Sequence, residues 1–337
     1  MRSRRVTTVA IGMALSLVPA AASAAVGQDR SGNAQPWIAY QTSYHETTGF
    51  GPEGVWLIHP DGTGDHQVGV GANSEQLLPD WSPDGGKLVF TTRGGEHEPL
   101  FEYMLSSGRA RQLFGCDGSC LGDDEPAYSP DGRTVAFVRA LGPFTEFGPS
   151  DCSLWLGDVA TRRVRRLTDN HSCDREVMPR WSPDGTRLTY FRERFDPATE
   201  ETATAVFVLR FATGQETRLT EWGDDYGEPD WSPDGRWIVM ASHPLHSFNF
   251  GSYSSNLFRI RPNGSGLQAL TSYVGDQRAT QPRYVPDGRS IVFTAVTPTA
   301  RELWIVPASG GTTRRVTQGG IATHGTMQPD GPGNQHT

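Results

Sequence analysis

The chain has 337 residues, a net charge of −8 at pH 7, and 36% hydrophobic against 20% charged residues. That acidic balance excludes phosphate-driven nucleic-acid binding and attraction to anionic membrane surfaces, and leaves proteins, peptides, glycans and cations as partners.

Residues 1–24 read as a signal peptide. Arg2, Arg4 and Arg5 form a basic start, an apolar stretch runs from Val9 to Ala22, and Ala22-Ser23-Ala24 is an A-x-A cleavage site. Its loss takes the net charge from −8 to −11. The mature chain is expected to be secreted or to reside in the periplasm or cell envelope. No later run is long enough to span a bilayer. Residues 25–35 read as a linker.

The next run, Trp37-Ile38-Ala39-Tyr40, aligns with Trp237-Ile238-Val239-Met240 but has no turn motif before it. A five-residue mark then recurs: Trp81-Ser82-Pro83-Asp84-Gly85, Tyr128 to Gly132, Trp181 to Gly185, Trp231 to Gly235, Tyr284 to Gly288, and a worn Met327-Gln328-Pro329-Asp330-Gly331. Its prolines are 47, 53, 50, 53 and 43 residues apart, a period that signals a repeat architecture. Proline, aspartate and glycine in this order suit a type I turn. Each mark is followed by a strand-like run such as Leu88-Val89-Phe90 or Ile291-Val292-Phe293, and two further runs complete the unit.

Four short strands per repeat predict an all-β, six-bladed propeller over residues 36–331, with 332–337 as a disordered tail. The first run lacks an innermost strand, and the last mark supplies one with nothing after it. The C-terminal strand is therefore expected to pair with the N-terminal blade, closing the ring and removing its open edges.

The repeated Pro-x-Trp-Ser-Pro-Asp-Gly-x-x-Ile-x-Phe pattern resembles the TolB-like propeller family, whose repeat is also described as WD40-like. The resemblance covers nearly the whole mature chain. It implies a protein-interaction platform in the cell envelope, here without the α/β domain that precedes the propeller in the family's namesake.

Strand order divides the connections between two faces. Turns within the first and last strand pairs are tight. The loops 42–54, 139–152, 191–204 and 241–255 between second and third strands, and 115–124, 169–177, 221–228 and 272–280 between blades, are long and share the other face. Long connections on a rigid scaffold are where binding sits. Acids (Asp123-Asp124-Glu125, Asp174 with Glu176, Asp224-Asp225 with Glu228) and aromatics (Trp222, Tyr226 and others) gather there, a mixture suited to a peptide with basic side chains, a sugar or a cation.

The residue before each Pro-x-Trp is expected to edge the central channel: Leu78, Glu125, Met178, Glu228 and Gln281, with His324 in the last copy. A water-filled polar lining and a binding mouth are both open readings. The candidate binding set is Glu125, Glu228, Gln281, His324, Trp222, Asp224, Asp225 and Tyr226. Four cysteines in an exported chain favour disulfides; Cys116–Cys120 and Cys152–Cys173 is the expected pairing, with the other two connectivities open.

Catalytic signatures are missing: no Gly-x-Ser-x-Gly elbow and no His-Glu-x-x-His. Asp61-Gly62-Thr63-Gly64-Asp65 has a calcium-loop look without the ligand spacing, so it reads as a hairpin turn. No cofactor is expected, with a calcium ion as the one candidate. The chain is therefore expected to be a non-catalytic binding module for an extracytoplasmic protein, peptide or glycan. The alternative is a propeller enzyme such as a polysaccharide lyase, which would need histidines converging on the loop face.

Overall fold

A computed structural model describes residues 35–42, 54–68, 75–94, 97–145, 148–169, 175–196, 201–242, 254–318 and 322–329. From Pro36 onward these fall in one compact unit, Pro36–Thr337. Six sheets of four antiparallel strands account for all of the described strands. Taken in chain order, the innermost strands are Ala322–Met327 in blade one, then Glu75–Trp81, Cys120–Tyr128, Arg175–Trp181, Tyr226–Trp231 and Arg278–Tyr284 in blades two to six.

The expected closure is present. Ala322–Met327 pairs antiparallel with Ile38–Thr42, placing Met327 opposite Ile38 and Ala322 opposite Thr42. Gln328 extends the clasp: its N–H donates to the Trp37 carbonyl at 2.7 Å, its Oε1 accepts the Trp37 N–H at 3.1 Å, and its Nε2 donates to the Gly85 carbonyl of the first turn at 2.8 Å.

The core lies between blades rather than within them. Val89, Leu100 and Phe114 of blade two meet Tyr128 and Phe137 of blade three. Leu154 of blade three meets Tyr190 and Phe207 of blade four, and the same pattern repeats around the ring to Val292 and Leu303 of blade six against Ile38 and Tyr40 of blade one. Each large apolar side chain so buried contributes about 1.5–3 kcal/mol. Contact is close: a Cβ on Gly157 would lie 2.2 Å from the Phe114 ring.

The repeated mark folds as the turn chemistry requires. The Gly85 N–H donates to the Ser82 carbonyl. The Ser82 hydroxyl donates to Asp84 Oδ1 at 2.5 Å, and that oxygen also accepts the Gly86 N–H at 3.0 Å. Blades three to five repeat the set. The serine hydroxyl holds the Asp84 carboxyl below the ordinary carboxylate range, and Asp184 is lowered to about 2 by its hydroxyl and amide donors against the opposing effect of burial. These aspartates are turn locks. Two tryptophans of the mark staple their blade to the one before: Trp81 Nε1 donates to the Thr326 carbonyl at 3.0 Å and Trp181 Nε1 to the Ala127 carbonyl at 3.1 Å.

Two expectations change. The segments 139–152 and 191–204 are mostly strand, not loop. Thr134–Thr145 pairs with Gly148–Asp158, and Arg187–Asp196 with Glu201–Arg210 in unbroken register from Arg187–Arg210 to Asp196–Glu201. Threonines and apolar residues such as Thr202, Thr204 and Val206 let the ladder run on past the blade. The segment 115–124 likewise enters its strand at Cys120. Most of 42–54 and 241–255 lies outside the described residues.

The second change concerns the cysteines. Cys116–Cys120 is a disulfide, with Cα atoms 5.2 Å apart. Cys152 is a buried thiol with no disulfide partner among the described residues, and Cys173, its expected partner, lies outside them. Burial in its strand pushes the Cys152 thiol pKa up, and the neighbouring Arg175 only partly opposes this.

Candidate functional site

All six residues placed at the channel edge share one backbone state. Leu78, Glu125, Met178, Glu228, Gln281 and His324 have φ between 52° and 56°. Each opens a β-bulge at which two residues oppose one: Leu78 and Pro79 sit between the Leu77–Thr91 and Asp80–Val89 pairs, and the other five blades repeat the pattern. The second bulge residue is proline in five blades, so no N–H is wasted there. The left-handed residue turns its own N–H off the ladder.

Side chains receive five of those six amides. Gln41 Oε1 accepts the Leu78 N–H at 2.8 Å and Asp124 Oδ1 the Glu125 N–H at 2.9 Å. Across blade boundaries, Glu125 Oε2 accepts the Met178 N–H and Glu228 Oε2 the Gln281 N–H at 2.5 Å. Gln281 Oε1 accepts the His324 N–H at 3.2 Å and the Thr294 hydroxyl at 2.9 Å. The Gln281 amide nitrogen lies 2.6 Å from His324 Nε2, which makes that ring nitrogen the acceptor. The six innermost strands are edge strands around a channel, and this ring caps their exposed donors.

Enclosure sets the charge states. Burial pushes the Glu125 carboxyl up, reinforced by the charge of Asp124. Burial lowers His324 to about 4, so the imidazole is neutral at pH 7.

One step further along the same strands is a second ring that the sequence reading passed over: Asp80, Ala127, Arg180, Asp230 and Arg283, the x of each Pro-x-Trp. Four of the five are charged, which was the available signal. Asp80 Oδ2 accepts the Tyr128 N–H at 2.9 Å and Asp230 Oδ2 the Tyr284 N–H at 2.8 Å. Burial raises the Asp80 carboxyl and raises Asp230 to about 7, the latter against Arg180 and the amide donors, which lower it.

The loop-face candidates separate by exposure. Asp123 is buried against Arg139 at 2.6 Å, and Glu176 is buried against Arg192 at 2.6 Å; both brace hairpins rather than face solvent. Asp174 lies outside the described residues. Asp224 is exposed; Asp225 and Tyr226 are partly exposed, and Asp225 has φ 54°. Trp222 packs on Phe207, with Arg194 4.1 Å from its ring, and Tyr226 meets Phe258 edge-on at 5.2 Å. Trp222, Asp224, Asp225 and Tyr226 thus lie along one partly exposed connection, with Trp222 against the blade-four strands Arg187–Asp196 and Glu201–Arg210 and Tyr226 against Phe258 of blade five. The Asp61 segment is a turn in which Asp61 Oδ1 accepts the Thr63 N–H, while Asp65 accepts the Tyr40 hydroxyl. Among the described residues, the single cluster of metal-ligand types is Cys116, Cys120 and Asp123, and its two cysteines are bonded to each other.

A family model described as the TolB beta propeller domain matches residues 38–254 and 179–333. An uncharacterized protein of Agrobacterium fabrum, Atu1656, is 28% identical over 64% of this chain and 64% of its own length. Dipeptidyl-peptidase 5 of Porphyromonas gingivalis is 26% identical over 57% of this chain and 26% of its own length, so the match takes in only part of each relative. Among solved structures, TolB from Acinetobacter baumannii superposes with a TM-score of 0.67 at 19% identity, covering 88% of this chain and 67% of TolB. That likeness is one of fold.

Proposed function

The chain belongs to the TolB beta propeller domain family, and on that premise we propose that it is an exported, non-catalytic docking module whose long-connection face holds a protein, peptide or glycan. The basic start and Ala22-Ser23-Ala24 site support export. The observation that carries docking is the patch of Trp222, Asp224, Asp225 and Tyr226. It is acidic and aromatic, only partly buried, and set beside a rigid ten-residue strand pair. Aromatic anchors with a charged rim are the composition of recognition surfaces.

The test is capture of partners from the native secretome on the immobilised mature chain. Asp224→Arg is the informative variant, because Asp224 is exposed and its backbone is unstrained. Reversal at Asp225 confounds the result: its left-handed backbone and its own side-chain interactions make it part of the turn. Loss of a captured species by Asp224→Arg at an unchanged melting temperature supports docking at this patch. Equal capture by variant and wild type refutes it.

A further inference from the structure

Four arginines stand in the run Arg162-Arg163-Val164-Arg165-Arg166, in a chain of net charge −8, and the docking reading gives them no role. They end the tight turn of blade three and form its outermost strand, Val164–Arg166, where Leu156 opposes Arg165 and Trp155 opposes Arg166. Strand alternation divides them. Arg166 lies on the Trp155 side, 5.6 Å from that ring, and is engaged by Asp151 and by Asp169 at 3.3 Å. Arg163 and Arg165 lie on the other side with Leu167, which packs toward blade four. Arg162, Arg163 and Arg165 are exposed and form no ion pair among the described residues.

That side opens on a cleft of about 490 Å³ between blades three and four. Arg165 lines it from blade three and Arg210, at the end of Glu201–Arg210, from blade four. Arg210 is also exposed and without an ion pair among the described residues. Leu167, Leu209 and Phe211 give the cleft apolar surface. Its carboxylates are held in place. Glu176 binds Arg192 at 2.6 Å and accepts the Thr168 hydroxyl, and Asp169 pairs with Arg166. Glu216 binds Arg192 at 3.2 Å and accepts the Tyr190 hydroxyl at 2.6 Å, yet its side chain stays 33% exposed.

The cleft thus offers both signs at once: two guanidiniums with donors to spare and a part-exposed carboxylate, over an apolar surface. A bare anion suits the guanidiniums and is repelled by Glu216. An acidic peptide carries the charge without hydroxyl donors for that carboxylate. A sugar chain bearing acid groups supplies an anion, hydroxyl donors and an apolar C–H face together. We infer that this cleft binds an anionic saccharide, its acid group held by Arg165 and Arg210 and its hydroxyls by Glu216. A planar guanidinium fork matches carboxylate and sulfate oxygens in shape as well as charge. The negative net charge of the chain does not forbid this, because exposed charges more than about 8 Å apart are largely screened at physiological salt. Trp222, Asp224, Asp225 and Tyr226 are not among the residues that line the cleft, so the site is separate from the docking surface.

Calorimetric titration of the full mature chain with alginate tetrasaccharide, heparin tetrasaccharide, maltotetraose and hexaglutamate tests this. At least one acidic saccharide is expected to bind about tenfold or more tighter than the neutral sugar and the acidic peptide. Alginate bears carboxylates and no sulfate, so tighter binding of alginate assigns the site to uronates and tighter binding of heparin to sulfated sugars. Equal affinities assign it to acid groups of either kind. Arg165→Gln and Arg210→Gln are each expected to weaken binding about tenfold at an unchanged melting temperature. Arg289→Gln removes the same charge from an exposed turn of blade six and is expected to leave the affinity unchanged. Absence of binding by both acidic saccharides, or hexaglutamate or maltotetraose binding as tightly, overturns the inference on wild-type protein alone. An equal loss in all three variants overturns it as well. Capture through Asp224 tests the docking reading separately and is expected to survive Arg165→Gln.

Discussion

Asp230→Asn is expected to stabilise the protein, and to do so only where the native carboxyl must ionise. Asp230 has its folded pKa raised to about 7 from 3.8. The unfolded chain therefore gives up the proton near pH 4, while the folded chain holds it to about pH 7. Between those values the folded state binds more protons, so stability falls as pH rises and levels off above pH 7. The gap of roughly three units, at about 1.4 kcal/mol each, bounds the penalty near 4 kcal/mol. Two features reduce what Asn recovers: the side chain is partly exposed, and Arg180, which lowers this pKa, loses an attractive neighbour. An increase of about 1–2 kcal/mol is expected at pH 8, corresponding to about 2–6 °C in Tm, shrinking to under half of that at pH 4.5. The amide oxygen of Asn can still accept the Tyr284 N–H. Thermal melts of both proteins at the two pH values decide the matter. A gain that is equal at both, or a loss at pH 8, refutes the reasoning.

Truncation after Gly320 removes the innermost strand of blade one and is expected to abolish soluble folding; a truncated chain that melts like wild type contradicts the split blade. Gln328→Ala, which leaves the Trp37 N–H and the Gly85 carbonyl without their side-chain partner, is expected to destabilise by about 1–2 kcal/mol in denaturant melts. Gly157→Ala drives a methyl into the Phe114 ring and is expected to cost about 1–3 kcal/mol, recovered in part by Phe114→Leu in a double-mutant cycle. Glu228→Ala is expected to speed hydrogen exchange of the Gln281 amide, whereas Glu228→Gln keeps it slow.

Turn chemistry made the fold legible. The Pro-Asp-Gly marks fix where each blade reverses, and their count and spacing fix the number of blades. The missing mark before Trp37 and the surplus one at Met327 announced the clasp. The channel ring was legible as positions, since Glu125, Glu228, Gln281 and His324 hold the same place in each repeat. Their left-handed backbone was not, because none is glycine or asparagine and only the bulge geometry demands that conformation. Glu176 and Asp123 looked like surface acids because their partners Arg192 and Arg139 stand on a neighbouring strand, 16 residues away in sequence. The hairpins at 139–152 and 191–204 were hidden by polar residues that read as loop until cross-strand register is known. The second ring is written in the same repeats, one position past the proline, where Asp80, Arg180, Asp230 and Arg283 stand.

Hydrogen exchange of the mature chain, with and without its captured partner, tests docking most directly. The account predicts slowed exchange in the 187–210 hairpin and in residues 221–228, and unchanged exchange in the tight turns at 82–87, 129–134 and 182–187. Protection confined to those turns, with the hairpin and the Trp222–Tyr226 segment unaffected, contradicts it.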